Sequence, residues 1–165
     1  MTETPVQPTL PKSLTRADFE AIAGHCHEVA SKIVAAGETV APVLLAGKMA
    51  DGVPDITHII QVPTETEQDK DCVARLMLGL AAEPDIEFVV HIVEAWVLVS
   101  PKLPRGSIAK HPRRKEAVLF NILSKDCQIL VLNPLHRKPN RLERGTLDFS
   151  LDYRGRFMRP PPVRN

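Results

Sequence analysis

The sequence predicts an α+β fold in which two helices pack on one face of a five- or six-stranded, mainly antiparallel sheet. Two segments repeat apolar residues with the period of a helix, whereas the other segments alternate or are continuously apolar, as strands are. Their order is helix, two strands, helix, then four or five strands, which is typical of an α+β domain. The 165 residues fit one domain, predicted at residues 13–159 between disordered arms at 1–12 and 160–165.

Both helices are predicted from apolar stripes and from their end signals. Residues 15–36 place apolar side chains three or four positions apart, with Thr15 as the expected N-cap and Gly37 as the expected stop. Residues 64–82 show a second stripe. Thr64 is followed three residues later by a glutamate, and this spacing predicts a capping box.

Two pairs of segments predict β-hairpins. The stretches PVLLAGKM and DITHIIQV flank Asp51-Gly52, a dipeptide that readily adopts the positive backbone angles of a tight reversal. Residues 116–133 predict a second hairpin around Lys125-Asp126, although that dipeptide is poor chemistry for a two-residue turn.

Two further strands complete the predicted sheet. Residues 88–100, FVVHIVEAWVLVS, are apolar on both alternating faces, which predicts a central strand covered on both sides. Residues 146–153, TLDFSLDY, alternate strictly and predict a half-exposed strand. Between them, prolines and a glycine predict a long irregular loop at 101–115.

The net charge of +1 hides an asymmetry along the chain. Residues 1–100 hold 6 Lys or Arg and 15 Asp or Glu, whereas residues 101–165 hold 15 and 5. The first part therefore carries −9 and the second +10. Such opposition predicts either a basic surface for an acidic partner or halves that complement each other, within a protomer or between protomers.

The cysteines and the missing motifs exclude several kinds of chemistry. Cys26, Cys72 and Cys127 are odd in number and lack CxxC spacing, which predicts reduced, buried thiols in a cytoplasmic protein. No segment approaches about 18 uninterrupted apolar residues, so we expect no membrane span. His25 and His27 flank Cys26 but diverge on a helix, so we expect no metal site. No GxGxxG, P-loop or GxSxG motif is present, and we expect no cofactor.

Glu94 is the most informative single residue. In a strand it shares a face with Trp96 among apolar neighbours, where a carboxylate is costly unless it is hydrogen-bonded or paired. The following segment, 101–116, holds six Lys or Arg and one His. We therefore predict a structural clamp of Glu94, Trp96 and Arg114, with the partner of a largely buried Glu94 coming from residues 105–116.

This region also carries a resemblance. The strand ending EAW, the basic loop and the HPRRKEA that opens the next strand resemble a family of small prokaryotic proteins, some carried by phages and mobile elements. The pattern covers residues 85–133. That family has no established activity, so the resemblance implies only which residues belong together: Glu94, Trp96, Pro112, Arg114 and Glu116.

Basic side chains supply the predicted binding residues. Positively charged loops can follow a phosphate backbone, and Tyr153 or Phe157 would stack on a base if exposed. The alternative is that these loops are solvated surface. The predicted contacts for a nucleic acid or an acidic protein are Arg105, Lys110, Arg113, Arg114, Lys115, Arg137, Lys138, Arg141, Arg154 and Arg156.

Three functions follow from these observations. The preferred one is a binding or assembly module, rather than an enzyme, that contacts nucleic acid or an acidic protein through its basic C-terminal loops. The second is a small hydrolase-like enzyme that uses Glu94 in a pocket beside the 101–116 loop. The third is a self-associating structural protein whose acidic and basic halves meet between protomers.

Overall fold

The computed structural model describes residues 13–98 and 112–148, and it has the predicted α+β architecture. All strand pairings among these residues are antiparallel. The predicted arms, the 101–115 loop up to residue 111, and the 146–153 strand beyond residue 148 lie outside the described residues. The elements are α1 (Arg16–Ala35), β1 (Val43–Ala50), β2 (Val53–Gln61), α2 (Glu67–Ala81), β3 (Phe88–Val97), β4 (Lys115–Ser124), β5 (Gln128–His136), β6 (Arg141–Leu142) and β7 (Leu147–Asp148).

The sheet has the strand order β2-β1-β3-β4-β5, and the short strands β6 and β7 both pair with β5. β3 lies between β1 and β4, so the predicted central position is confirmed. Its inner residues from Phe88 to Ile92 are at most 3% exposed. The strand ends at Val97, three residues before the predicted end.

The two helices pack on opposite faces of the sheet, so the prediction of one covered face is wrong. α1 contacts a large core that includes Phe88, Val90 and Ile92, whereas α2 contacts a smaller core that includes Val89. Successive residues of a strand point to opposite faces, so these cores lie on opposite sides of β3. A strand that is apolar on both faces must be shielded from water on both, and here α1 packs on one face and α2 on the other.

The helix starts follow the capping chemistry, with one shift. Thr15 caps α1 as predicted, through a complete capping box with Asp18. α2 begins after Thr66 rather than Thr64, because the capping box forms between Thr66 and Asp69. The stretch holds two overlapping pairs of threonine and acid at the same spacing, and spacing alone does not choose between them. No helix in the described residues is long and apolar enough to cross a membrane.

Both predicted hairpins form. Asp51 and Gly52 adopt φ angles of 51° and 77°, as the first turn requires. In the second hairpin the Ser124 N–H donates to the Cys127 carbonyl at 2.8 Å, while the Cys127 N–H donates to the Ser124 hydroxyl oxygen at 3.1 Å. This side-chain acceptor closes a turn whose Lys-Asp dipeptide does not favour it.

Candidate functional site

Several of the predicted functional residues meet at one end of the sheet, beyond the residues that α1 covers. The antiparallel register pairs Glu94 with Val118 and Trp96 with Glu116, and it brings the start of β4 beside the end of β5. We name this region the basic end and define it by residues 93–97, 113–117 and 136–141.

Glu94 connects three separate parts of the chain at the basic end. Its Oε1 accepts a hydrogen bond from the backbone N–H of Val40 at 2.8 Å, and its Oε2 lies 3.7 Å from Nη2 of Arg137. The side chain is 21% exposed. Glu94 therefore links the segment after α1 to β3 and to the β5–β6 turn.

The described partners of Glu94 differ from the expected source, residues 105–116. Of that segment the structure describes 112–116, and the contacts of Glu94 come from Val40 and Arg137 instead. Val40 had no sequence signal, because a backbone N–H is present at every residue except proline. Arg137 was predicted as a binding residue, and its proximity to Glu94 follows from the register of β4 and β5.

Arg137 joins two carboxylates. Its Nε donates to Oε2 of Glu116 at 3.1 Å, and its other end approaches Glu94. Side-chain exposures of 39% for Arg137 and 30% for Glu116 leave this pair partly solvated. The arrangement is a small ion-pair network that fixes the β5–β6 turn against β3 and β4.

Trp96 and Arg114 form the second contact of the basic end. The guanidinium carbon of Arg114 lies 4.6 Å from the centroid of the Trp96 ring, within the range of a cation–π interaction. Trp96 remains 42% exposed. It borders a half-open pocket of about 170 Å³, which we name the Trp96 pocket, lined by Glu94, Ala95, Trp96, Glu116, Ala117 and Leu135.

Two of the predicted basic segments converge here. Arg113, Arg114 and Lys115 are exposed at the start of β4, and Lys138 and Arg141 are exposed around the β5–β6 turn. Arg141 also forms an exposed ion pair with Glu143 at 3.4 Å. The remaining predicted binding residues lie outside the described residues: Arg105, Lys110, Arg154 and Arg156.

The cysteines and histidines offer no comparable site in the described part of the chain. Burial raises the pKa of the Cys26 thiol to about 12, so this cysteine is no thiolate nucleophile at neutral pH. Cys72 is exposed on α2, which corrects the prediction that each thiol is buried. His27 is hydrogen-bonded to the Leu142 carbonyl at 3.0 Å. Within residues 13–98 and 112–148 no group of His, Cys, Asp or Glu could hold a metal ion.

Comparisons of the chain with known protein families, with curated proteins and with solved structures find no match. The resemblance carried by EAW and HPRRKEA therefore stays a prediction.

Proposed function

We propose that the protein is a cytoplasmic binding module that engages a nucleic acid through the basic end. The observation that carries this proposal is the convergence of two basic segments, 113–115 and 137–141, on one end of the sheet. Exposed cations in such proximity attract a phosphate backbone, and their attraction to it decreases as salt rises. Placement in the cytoplasm is supported by the three free cysteines.

The network around Arg137 supports this role by fixing the surface. Its contacts with Glu94 and Glu116 hold the turn that presents Lys138 and Arg141. A surface that is already ordered loses less conformational entropy when its partner binds. The clamp would therefore act by positioning, while the exposed cations make the contacts.

Binding of a labelled oligonucleotide, followed by fluorescence anisotropy from about 50 to 200 mM salt, tests the proposal. Neutralising five duplex phosphates would weaken binding roughly 500-fold over that range. Lys115→Ala should weaken binding and lower the salt slope by about 1. Lys125→Ala is the matched control, because this exposed lysine follows the other end of β4, about 30 Å away. Absent binding at low salt, or equal losses in both variants, contradicts the proposal.

A hydrolase-like enzyme is the second candidate, because two carboxylates line the Trp96 pocket. Its volume of about 170 Å³ is small beside the roughly 300–1,000 Å³ of typical small-molecule sites, which favours binding over catalysis. Glu94→Gln distinguishes the two. A hydrolase would show an activity in the wild type that the variant loses, whereas a binding module would show no hydrolytic activity in either protein.

Self-association is the third candidate, and β2 supports it. This strand is at the edge of the described sheet and exposes Ile59 (72%) and Val53 (63%). Exposed apolar edge strands readily pair with another chain. Sedimentation of the wild type and of Ile59→Lys would detect a dimer that the variant loses, and a concentration-independent monomer would exclude this candidate.

A further inference from the structure

The Trp96 pocket offers an accessible aromatic ring beside cations. Trp96 is 42% exposed, and the Arg114 guanidinium lies 4.6 Å from its centroid. Proteins that bind single-stranded nucleic acids combine the same two components, a positively charged path for the backbone and an aromatic ring on which a base stacks. A duplex keeps its bases paired and stacked inside, so it cannot use such a ring in the same way.

The size of the pocket limits what it can hold. The half-open pocket has a volume of about 170 Å³. This is enough for one planar ring system against Trp96 and too little for a typical drug-sized ligand. A single nucleobase is a ligand of this size.

The polar lining of the pocket matches a base rather than a phosphate. Glu94 and Glu116 line it, and an ionised carboxylate accepts hydrogen bonds at about four positions. Among the described residues, each uses only part of that capacity in its contacts with Val40 or Arg137. Carboxylates repel phosphates but accept from the N–H groups on base edges, which are exposed in a single strand.

We infer that the Trp96 pocket receives one unpaired base of a single-stranded nucleic acid, stacked on Trp96, while the strand's phosphates contact the exposed cations around it. The exposed cations of the basic end include Arg113, Lys115 and Lys138, and Lys115 lies on the face of β4 opposite Glu116, so the nucleic-acid strand would pass around this end of the sheet to reach it. This inference rests on the proposed function and narrows the ligand from nucleic acid in general to a single strand.

The chain contains one tryptophan, so its intrinsic fluorescence reports directly on the pocket. The test is a titration of the full chain with a single strand of about 12 nucleotides and with the duplex of the same sequence. The single strand should quench the fluorescence, and the duplex should leave it nearly unchanged.

Variants sharpen the test through anisotropy of labelled strands. Trp96→Ala should weaken single-strand binding about 10-fold or more and change duplex binding much less. Trp96→Phe keeps a ring and should keep most of the affinity. Lys115→Ala should weaken both ligands alike, because it removes a phosphate contact, and Lys125→Ala should change neither.

The possible failures are distinguishable. Salt-sensitive binding without quenching, or Trp96→Ala binding single strands as the wild type does, overturns the inference and leaves the proposed function intact. No binding of either ligand at low salt overturns both. Polyglutamate that quenches Trp96 and binds as tightly as the single strand overturns base stacking and favours an acidic protein as the partner. Because quenching is measured on the wild type, the result does not depend on the folding of any variant.

Discussion

The two halves of β3 differ sharply, although they belong to one continuous strand. Phe88–Ile92 lie between the two helices and are almost fully buried, including His91 at 1% exposure. Val93–Val97 extend beyond that cover and carry Glu94, with its contacts to other elements, and the exposed ring of Trp96. The difference shows that the position of a residue relative to the helices, and not its strand propensity, separates the buried half of the strand from the half that exposes polar and aromatic side chains.

The largest expected difference between the two halves of β3 is in the stability that is lost when an aromatic side chain is replaced by alanine. Phe88→Ala removes a side chain with 0% exposure and should cost about 3–5 kcal/mol in the free energy of unfolding. Trp96→Ala removes an exposed ring and an exposed cation–π contact, and should cost about 1 kcal/mol or less. Chemical denaturation followed by circular dichroism measures both variants, and equal losses would contradict the division of β3.

The next effect is a pH dependence of stability that arises from His91, in the buried half of β3 (Phe88–Ile92). Burial lowers the pKa of His91 from 6.5 to about 4. Between these values the unfolded chain binds a proton at this residue and the folded chain does not. Stability should therefore fall as the pH drops from about 6.5 towards 4, by on the order of 3 kcal/mol at the lower limit. His91→Leu should reduce the dependence of the unfolding free energy on pH, measured by denaturation at several pH values. His58→Gln, which changes an exposed histidine, should keep that dependence. Equal dependence in the wild type and both variants would show that His91 is not the cause.

A smaller loss of stability is expected when Glu94 is replaced, in the less buried half of β3 (Val93–Val97). Glu94→Ala leaves the Val40 N–H without its acceptor and should destabilise the fold by about 1.5–3 kcal/mol. The contact with Arg137, 3.7 Å long and partly exposed, should add little. Glu94→Gln keeps an acceptor oxygen and should cost less than Ala. Thermal melts of the two variants test this order, and wild-type stability in both would contradict the clamp.

The smallest effects on folding are expected for the lysines at the two ends of β4. Lys115 and Lys125 are both exposed, so Ala at either position should change stability by about 0.5 kcal/mol or less. Thermal melts establish this before binding is compared. A large loss in Lys115→Ala would mean that Lys115 belongs to the folded network rather than to the binding surface.

Local patterns predicted most of the secondary structure. The apolar stripes predicted both helices, and the Asp51-Gly52 dipeptide predicted the first turn. The apolar residues on both faces of Phe88–Ile92 predicted the central strand. The placement of the helices on opposite faces was missed, because a stripe identifies which side of a helix is buried and not which face of a sheet covers it. The doubly apolar strand already required cover on both faces.

The candidate site was less predictable, because its contacts join residues far apart in the sequence. Glu94 was identified as a carboxylate that needs a partner, and the nearest basic loop was expected to supply it. Among the described residues, the contacts of Glu94 are made by Val40, 54 residues earlier, and by Arg137. Their proximity depends on the path of the chain after α1 and on the register of β4 and β5, neither of which is encoded locally.

The most direct test of the account is to map where a nucleic acid contacts the protein. Amide chemical-shift changes in the ¹⁵N-labelled chain, measured during a titration with a single-stranded oligonucleotide at low salt, report on every element at once. We predict the largest changes at the Trp96 indole N–H and in residues 113–117 and 137–141, with α2 and β2 nearly unchanged. Largest changes on α2 or β2, or no changes at all, would contradict it.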